Sequence, residues 1–170
     1  MSSPIFEQLE VTPDILRPMI GHLRAEEANW KPAPHRFSVA EVMAHLCDIE
    51  QQVFRRRLER MVNEERPSLD AYDQEGIASV GGYGGRDMHE SFRQFHRFRN
   101  DNLRYLKSLP TEVHARIGVH SELGPMTIAH LLNEWAFHDL GHIRQIAELV
   151  RAYRYYPNLG AFQRYYTVNP

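Results

Sequence analysis

Apolar residues recur at helical spacing in four stretches of this chain, each opened or closed by a residue that caps or breaks a helix. At about 100° per residue, Ile15, Leu16, Met19, Ile20 and Leu23 share one face. That face predicts a helix starting at Thr12-Pro13, with the threonine as N-cap and the proline at the first helical position. Pro18 is expected to distort its second turn. A second stripe, Val42, Leu46, Ile49 and Val53, follows the capping-box pair Ser38 and Glu41, with Phe37 placed as half of a hydrophobic staple. This helix is predicted to run to about Asn63. Asp87 and Glu90 open a third helix, carrying Phe92, Phe95, Phe98 (or Arg99), Leu103 and Leu106, which Pro110 stops. The fourth starts at Thr127, carries Ile128, Leu131, Trp135, Ile146 and Leu149, and extends to about Tyr153.

The connections differ in kind. Trp30 to Pro34 reads as an extended crossing, because residues before proline are pushed out of the helical region, and Trp30 is its expected anchor. Residues 64–86 hold Pro67 and the cluster Gly81-Gly82-Tyr83-Gly84-Gly85. A connection beyond about 12–15 residues is commonly a lid or binding loop, so this one is expected near one end of the bundle, over the site. Its glycines are no phosphate cradle, since no strand precedes them and no GK[ST] follows. The stretch after Pro110 reads as a loop with at most a short extended piece. The tyrosine-rich tail is expected to pack on its own domain or on a second subunit. Four amphipathic helices without a convincing strand pattern predict an all-α four-helix bundle, one domain over residues 1–170.

Composition narrows the function classes. A chain of 170 residues is long enough for a stable core, and 42% hydrophobic with 25% charged residues is ordinary for a soluble globular domain. A formal net charge of −2 gives no reason to expect nucleic acid or acidic lipid as a partner. No apolar run of about 18 residues suggests a membrane span. The single cysteine, Cys47, excludes an internal disulfide framework and fits a reducing cytoplasm. It points away from the His45 stripe and reads as a packing residue. Arg55, Arg56, Arg57 and Arg60 read chiefly as a solvated face, with an anionic-substrate contact as the lesser reading.

The candidate chemistry lies in NEWAFHDLGHIRQIAEL, residues 133–149. His138 and His142 fall within the apolar face of the fourth helix, and residues four apart have Cβ atoms roughly 5–6 Å apart. Two imidazoles so placed can reach one metal ion at about 2.0–2.1 Å. His45 lies in the apolar stripe of the second helix. Burying three unsatisfied imidazoles would cost on the order of 1–3 kcal/mol each, and one shared cation would satisfy all of them. The competing reading gives each ring an ordinary hydrogen bond to a carbonyl or carboxylate. Asp139 falls nearest the core among the flanking acids Glu41, Asp48, Glu134 and Asp139, and is a candidate acceptor for an imidazole. His89, His96, His114 and His120 are left outside this group.

Three blocks, WKPAPHRFSVAEVMAHLCDIE, FRQFHRFRNDNLRYLKSLP and GPMTIAHLLNEWAFHDLGHIRQI, resemble the DinB-like (damage-inducible) family of metal-binding four-helix bundles. The resemblance runs from about Leu9 to Tyr153. It implies that His45, His138 and His142 bind one divalent metal, with Zn, Ni, Fe or Mn as candidates, and that bundles often pair as homodimers. Relatives include transferases using small cytoplasmic thiols and metal-dependent hydrolases. The expectation is therefore an enzyme acting on a small molecule, by hydrolysis or by thiol transfer, with its catalytic residues unassigned. A stress-response module that binds metal or ligand without turnover is the alternative.

Overall fold

The computed structural model describes residues 4–73 and 82–170. Helix α1 spans Pro4–Ile20 and α2 spans Ala25–Asn29. Helix α3 spans Val39–Ile49 and passes through a π-helical turn, Glu50–Arg55, into α4, Arg56–Asn63. Helix α5 is Met88–Ser108 and α6 is Ile128–Val150, the latter followed by a second π turn, Arg151–Tyr155, and short 3-10 segments. The expected bundle is therefore present. Its second long helix contains a π turn, which adds a residue to the turn and rotates everything beyond it.

The local signals act where the sequence places them at three of the four starts. Ser38 Oγ accepts from the Glu41 amide at 3.2 Å, and the Glu41 carboxylate accepts from the Ser38 amide at 2.8 Å. Asp87 accepts from the Glu90 amide at 2.7 Å, and Thr127 from the His130 amide at 3.1 Å. Helix α1 corrects the expectation. It begins at Pro4, where a missing N–H costs nothing, and Thr12 is a buried interior residue. Pro13 therefore stands inside the helix and cannot bond the Leu9 carbonyl. The Arg99 guanidinium of α5 donates to that carbonyl instead, at 2.9 Å.

A small sheet is a second correction. Strands β1 (Ser68–Leu69), β2 (Ile117–His120) and β3 (Gly124–Thr127) form it in that order, β1 parallel and β3 antiparallel to β2. The hairpin closes through Gly124 at φ 76°, a conformation that glycine adopts without strain. Gly118 lets the sheet sit down on α4: a Cβ there would meet Leu69 Cδ1 at 2.7 Å and Met61 Cγ at 3.0 Å. Strands this short carry too few residues for alternation to register in the sequence.

The core divides into two apolar clusters, one around Leu16, Leu46, Phe95 and Ile146, the other around Leu9, Phe54, Leu103 and Trp135. On α1, α5 and α6 a buried polar residue stands between the two: Thr12, Arg99 and Asp139. Trp30 packs against the first cluster and leans on Tyr153, ring centroids 5.3 Å apart. Among the described residues no helix is long and apolar enough to cross a membrane. Phe137, Leu140, Phe162, Tyr165 and Tyr166 remain exposed, so the tail is only partly packed on its own domain.

Candidate metal centre

Helix α3 delivers His45, fully buried, and α6 delivers His138 and His142 on successive turns. The three rings converge. His138 Nε2 lies 3.3 Å from His45 Nε2 and 3.1 Å from His142 Nε2, and one ligand atom from each ring falls within 4.8 Å of the others. Nitrogens held about 2.0–2.1 Å from one cation in a tetrahedral set stand roughly 3.3–3.4 Å apart, so the two shorter spacings suit a shared ion. Two neutral imidazoles can share one proton across such a gap, but a third nitrogen then faces a lone pair or a second proton without a partner. The donor set therefore fits a divalent metal better than it fits mutual hydrogen bonding.

The remaining ring atoms are held unequally. His45 Nδ1 is 3.2 Å from the Tyr83 hydroxyl, which is 2.8 Å from the Tyr72 hydroxyl. His142 Nδ1 is 2.8 Å from Gln145 Oε1, so that ring carries its proton on Nδ1 and turns the Nε2 lone pair inward. His138 Nδ1 is buried with no partner among the described residues. That ring is instead fixed by the edge of Phe54, itself stacked on Trp135 at 4.6 Å. Burial, reinforced by His142, pulls the His45 pKa down to about 3. Burial, with His142, His45 and Arg99 adding to it, pulls His138 to about 2. Burial also lowers His142, against Gln145 and Asp139. All three rings are thus neutral at neutral pH, the form that coordination would require.

Behind the histidines lies an ionic network that the sequence gives no signal for, beyond an arginine on an apolar stripe. Arg99, 1% exposed, donates to Glu50 Oε1 at 2.8 Å and Oε2 at 2.9 Å. It also donates to Asp139 Oδ2 at 2.6 Å and Oδ1 at 3.0 Å. Glu50 accepts further from Trp135 Nε1 at 3.0 Å and Asn102 Nδ2 at 3.0 Å; Asp139 accepts from Thr12 Oγ1 at 2.8 Å. Four of the helices are tied at one point, and every charge has an opposite partner. Glu50 lies one helical repeat beyond the buried Met43, at the start of the π turn, and its carboxylate meets Arg99 in the core. Asp139 is accordingly not the imidazole acceptor expected from the sequence: its oxygens are taken by Arg99 and Thr12, and Gln145 holds His142 instead.

Other expectations resolve individually. Cys47 is buried outside the cluster, its thiol pushed up to about 11, chiefly by burial, and so remains a packing residue. Tyr72 and Tyr83 show that the connection between α4 and α5 does reach the site, while Gly81 lies outside the described residues. His120 is buried in β2 rather than loose, and bonds Arg57 at 3.0 Å. Two open cavities meet over the histidines. One of about 780 Å³ is lined by Phe54, Arg57, Tyr72, His120, Glu134 and His138. The other, of about 860 Å³, is lined by Arg36, Phe137, His138, His142, Arg144 and others, and shares Glu134 with the first. A ligand can therefore approach the open side of a cation held by these rings.

A helical bundle with a small three-stranded sheet, and three imidazoles converging beneath an open cleft, defines a class of four-helix proteins with a site that could hold a metal. The chain belongs to the DinB superfamily, which it matches over residues 8–146. Its backbone is similar to that of YfiT from Bacillus subtilis, described as a probable metal-dependent hydrolase with an unusual four-helix bundle topology. The two share 20% identity at a TM-score of 0.80, over 89% of this chain and 90% of the other, which establishes the common fold. No curated protein matches the sequence.

Proposed function

We propose that the chain is a single-domain, divalent-metal-dependent enzyme, hydrolytic in type, acting on a small molecule at His45, His138 and His142. The observation that carries this reading is the convergence of three imidazoles, of which His138 lines two open cavities and His142 one of them, with His45 buried behind. A divalent ion held by His45, His138 and His142 would supply Lewis acidity and make water a competent nucleophile near neutral pH. The protein's part is orientation and exclusion. Tyr83 and Gln145 fix the rings of His45 and His142, Phe54 and Trp135 close the inner side, and Glu134 stands at the junction of the cavities as the available carboxylate. The description of YfiT as a probable metal-dependent hydrolase on the same fold supports the assignment. The donor set suits Zn, Ni, Fe or Mn, and affinity alone does not choose among them.

The first test is elemental analysis of protein purified without an immobilised-metal column, beside His138→Ala. One equivalent of divalent metal in the parent, lost in the variant, is expected; metal-free parent, or unchanged uptake in the variant, ends the assignment. A hydrolase panel then runs beside an assay pairing a low-molecular-weight thiol with an electrophile. Metal-dependent turnover lost in His45→Ala supports an enzyme, and the arm that responds separates hydrolysis from thiol transfer. Silence in both arms favours a non-catalytic binding module. We place the protein in the cytoplasm, where its one free cysteine, Cys47, stays reduced. A homodimer using the exposed Phe137 and Leu140 of α6 is expected in solution, and a monomer by light scattering at tens of micromolar would count against it.

A further inference from the structure

Arg57 differs from Arg55 and Arg60, which are paired, and from Arg56, which is exposed. Arg55 pairs with Glu59 at 2.6 Å and Arg60 with Glu64 at 2.9 Å, both across one helical turn. Among the described residues, Arg57 has no carboxylate within ion-pair distance. Its Nη2 donates to the Asp70 carbonyl at 2.8 Å and meets His120 Nε2 at 3.0 Å. The Asp70 carbonyl aims the guanidinium without cancelling its charge. Burial, opposed by Glu134 and Asp70, lowers its pKa. A cation that is partly desolvated, held in place and without an ion pair among the described residues is relieved by an anionic ligand. It lines the same cavity as His138.

We infer that Arg57 is the specificity residue of this site, and that the substrate is a small molecule bearing one carboxylate, which docks on Arg57 while its reacting group lies over the histidines. The inference rests on the metal-centre reading above. Charge limits the class further. Asp73, Glu122 and Glu134 line the same cavity, so a phosphate or other polyanion would be repelled. A single carboxylate can reach Arg57, and an ammonium or amide elsewhere on the ligand would meet these acids, as in an amino-acid derivative. The second cavity is a weaker candidate, because Arg144 there is exposed and carries its own hydration.

The test uses the Co(II)-loaded full chain and hydroxamates as probes, because a hydroxamate occupies the open side of the metal and alters its visible absorption. Acetohydroxamate reports the metal alone. Succinic and glutaric monohydroxamates add a carboxylate on a short tether, and their terminal amides serve as neutral counterparts. One charge-assisted pair predicts that the better carboxylate probe binds about ten- to a hundredfold tighter than its amide. In Arg57→Gln that ratio falls to about twofold or less, while acetohydroxamate binding is unchanged. No preference in the parent, or a preference that survives in Arg57→Gln, overturns the assignment. A parent that takes up no Co(II) overturns the metal centre first and the substrate class with it, so the two failures are told apart at the loading step.

Discussion

Replacing Arg99 with leucine removes the one buried cation that Glu50 and Asp139 share. Both carboxylates are about 1% exposed, and Arg99 gives them four of their hydrogen bonds. Deleting one member of a buried ion pair typically costs about 3–5 kcal/mol, because the stranded charge keeps its desolvation and loses its partner. In a domain of this size each kcal/mol moves the melting temperature by about 2–4 °C, so Arg99→Leu should melt roughly 6–20 °C below the parent. Adding Glu50→Gln and Asp139→Asn to Arg99→Leu should restore part of the stability. Thermal melts by circular dichroism, on metal-free protein, read both effects. A single variant melting within about 2 °C of the parent at pH 8 would refute the ionic account of this layer.

Other predictions follow from particular groups. In metal-free protein, His45 and His138 resist protonation down to about 3 and about 2, whereas the unfolded chain takes up protons below about 6.5. The unfolded state binds more protons in that window, so stability falls with pH, approaching about 1.4 kcal/mol per pH unit for each ring. Denaturant melts at pH 7 and 5.5 should show the decline, and His45→Ala should flatten it; equal slopes would contradict the burial argument. Gly118→Ala should destabilise by about 1–3 kcal/mol, because its Cβ would meet Leu69 at 2.7 Å, and an unchanged chemical-denaturation midpoint would show that Leu69 simply moves aside. Tyr83→Phe removes the hydroxyl 3.2 Å from His45 Nδ1 and should weaken metal affinity by about 10- to 100-fold in competition with a chelator.

The long helices were legible because their signals are local and periodic. Ser38 with Glu41, Asp87 with Glu90, and Thr127 each cap a helix within three residues, and the apolar stripes repeat every turn. His45, His138 and His142 were legible for the same reason, since each falls on a stripe that must face inward. The start of α1 was misread because Thr12-Pro13 mimics a cap. Only tertiary contact explains an interior proline there: Arg99, 86 residues further on, donates to the carbonyl that Pro13 leaves free.

What the chain could not state in one dimension is which distant partner each polar group meets. Helical periodicity determined the bundle and which three imidazoles turn inward, because those depend on residues three or four apart. Tertiary packing decided the rest: that Asp139 answers Arg99 and not a histidine, that Tyr83 reaches the ring of His45, and that Arg57 meets the Asp70 carbonyl and His120. Hydrogen bonds and ion pairs act over about 3 Å, and only the folded chain brings residues dozens of positions apart within that reach.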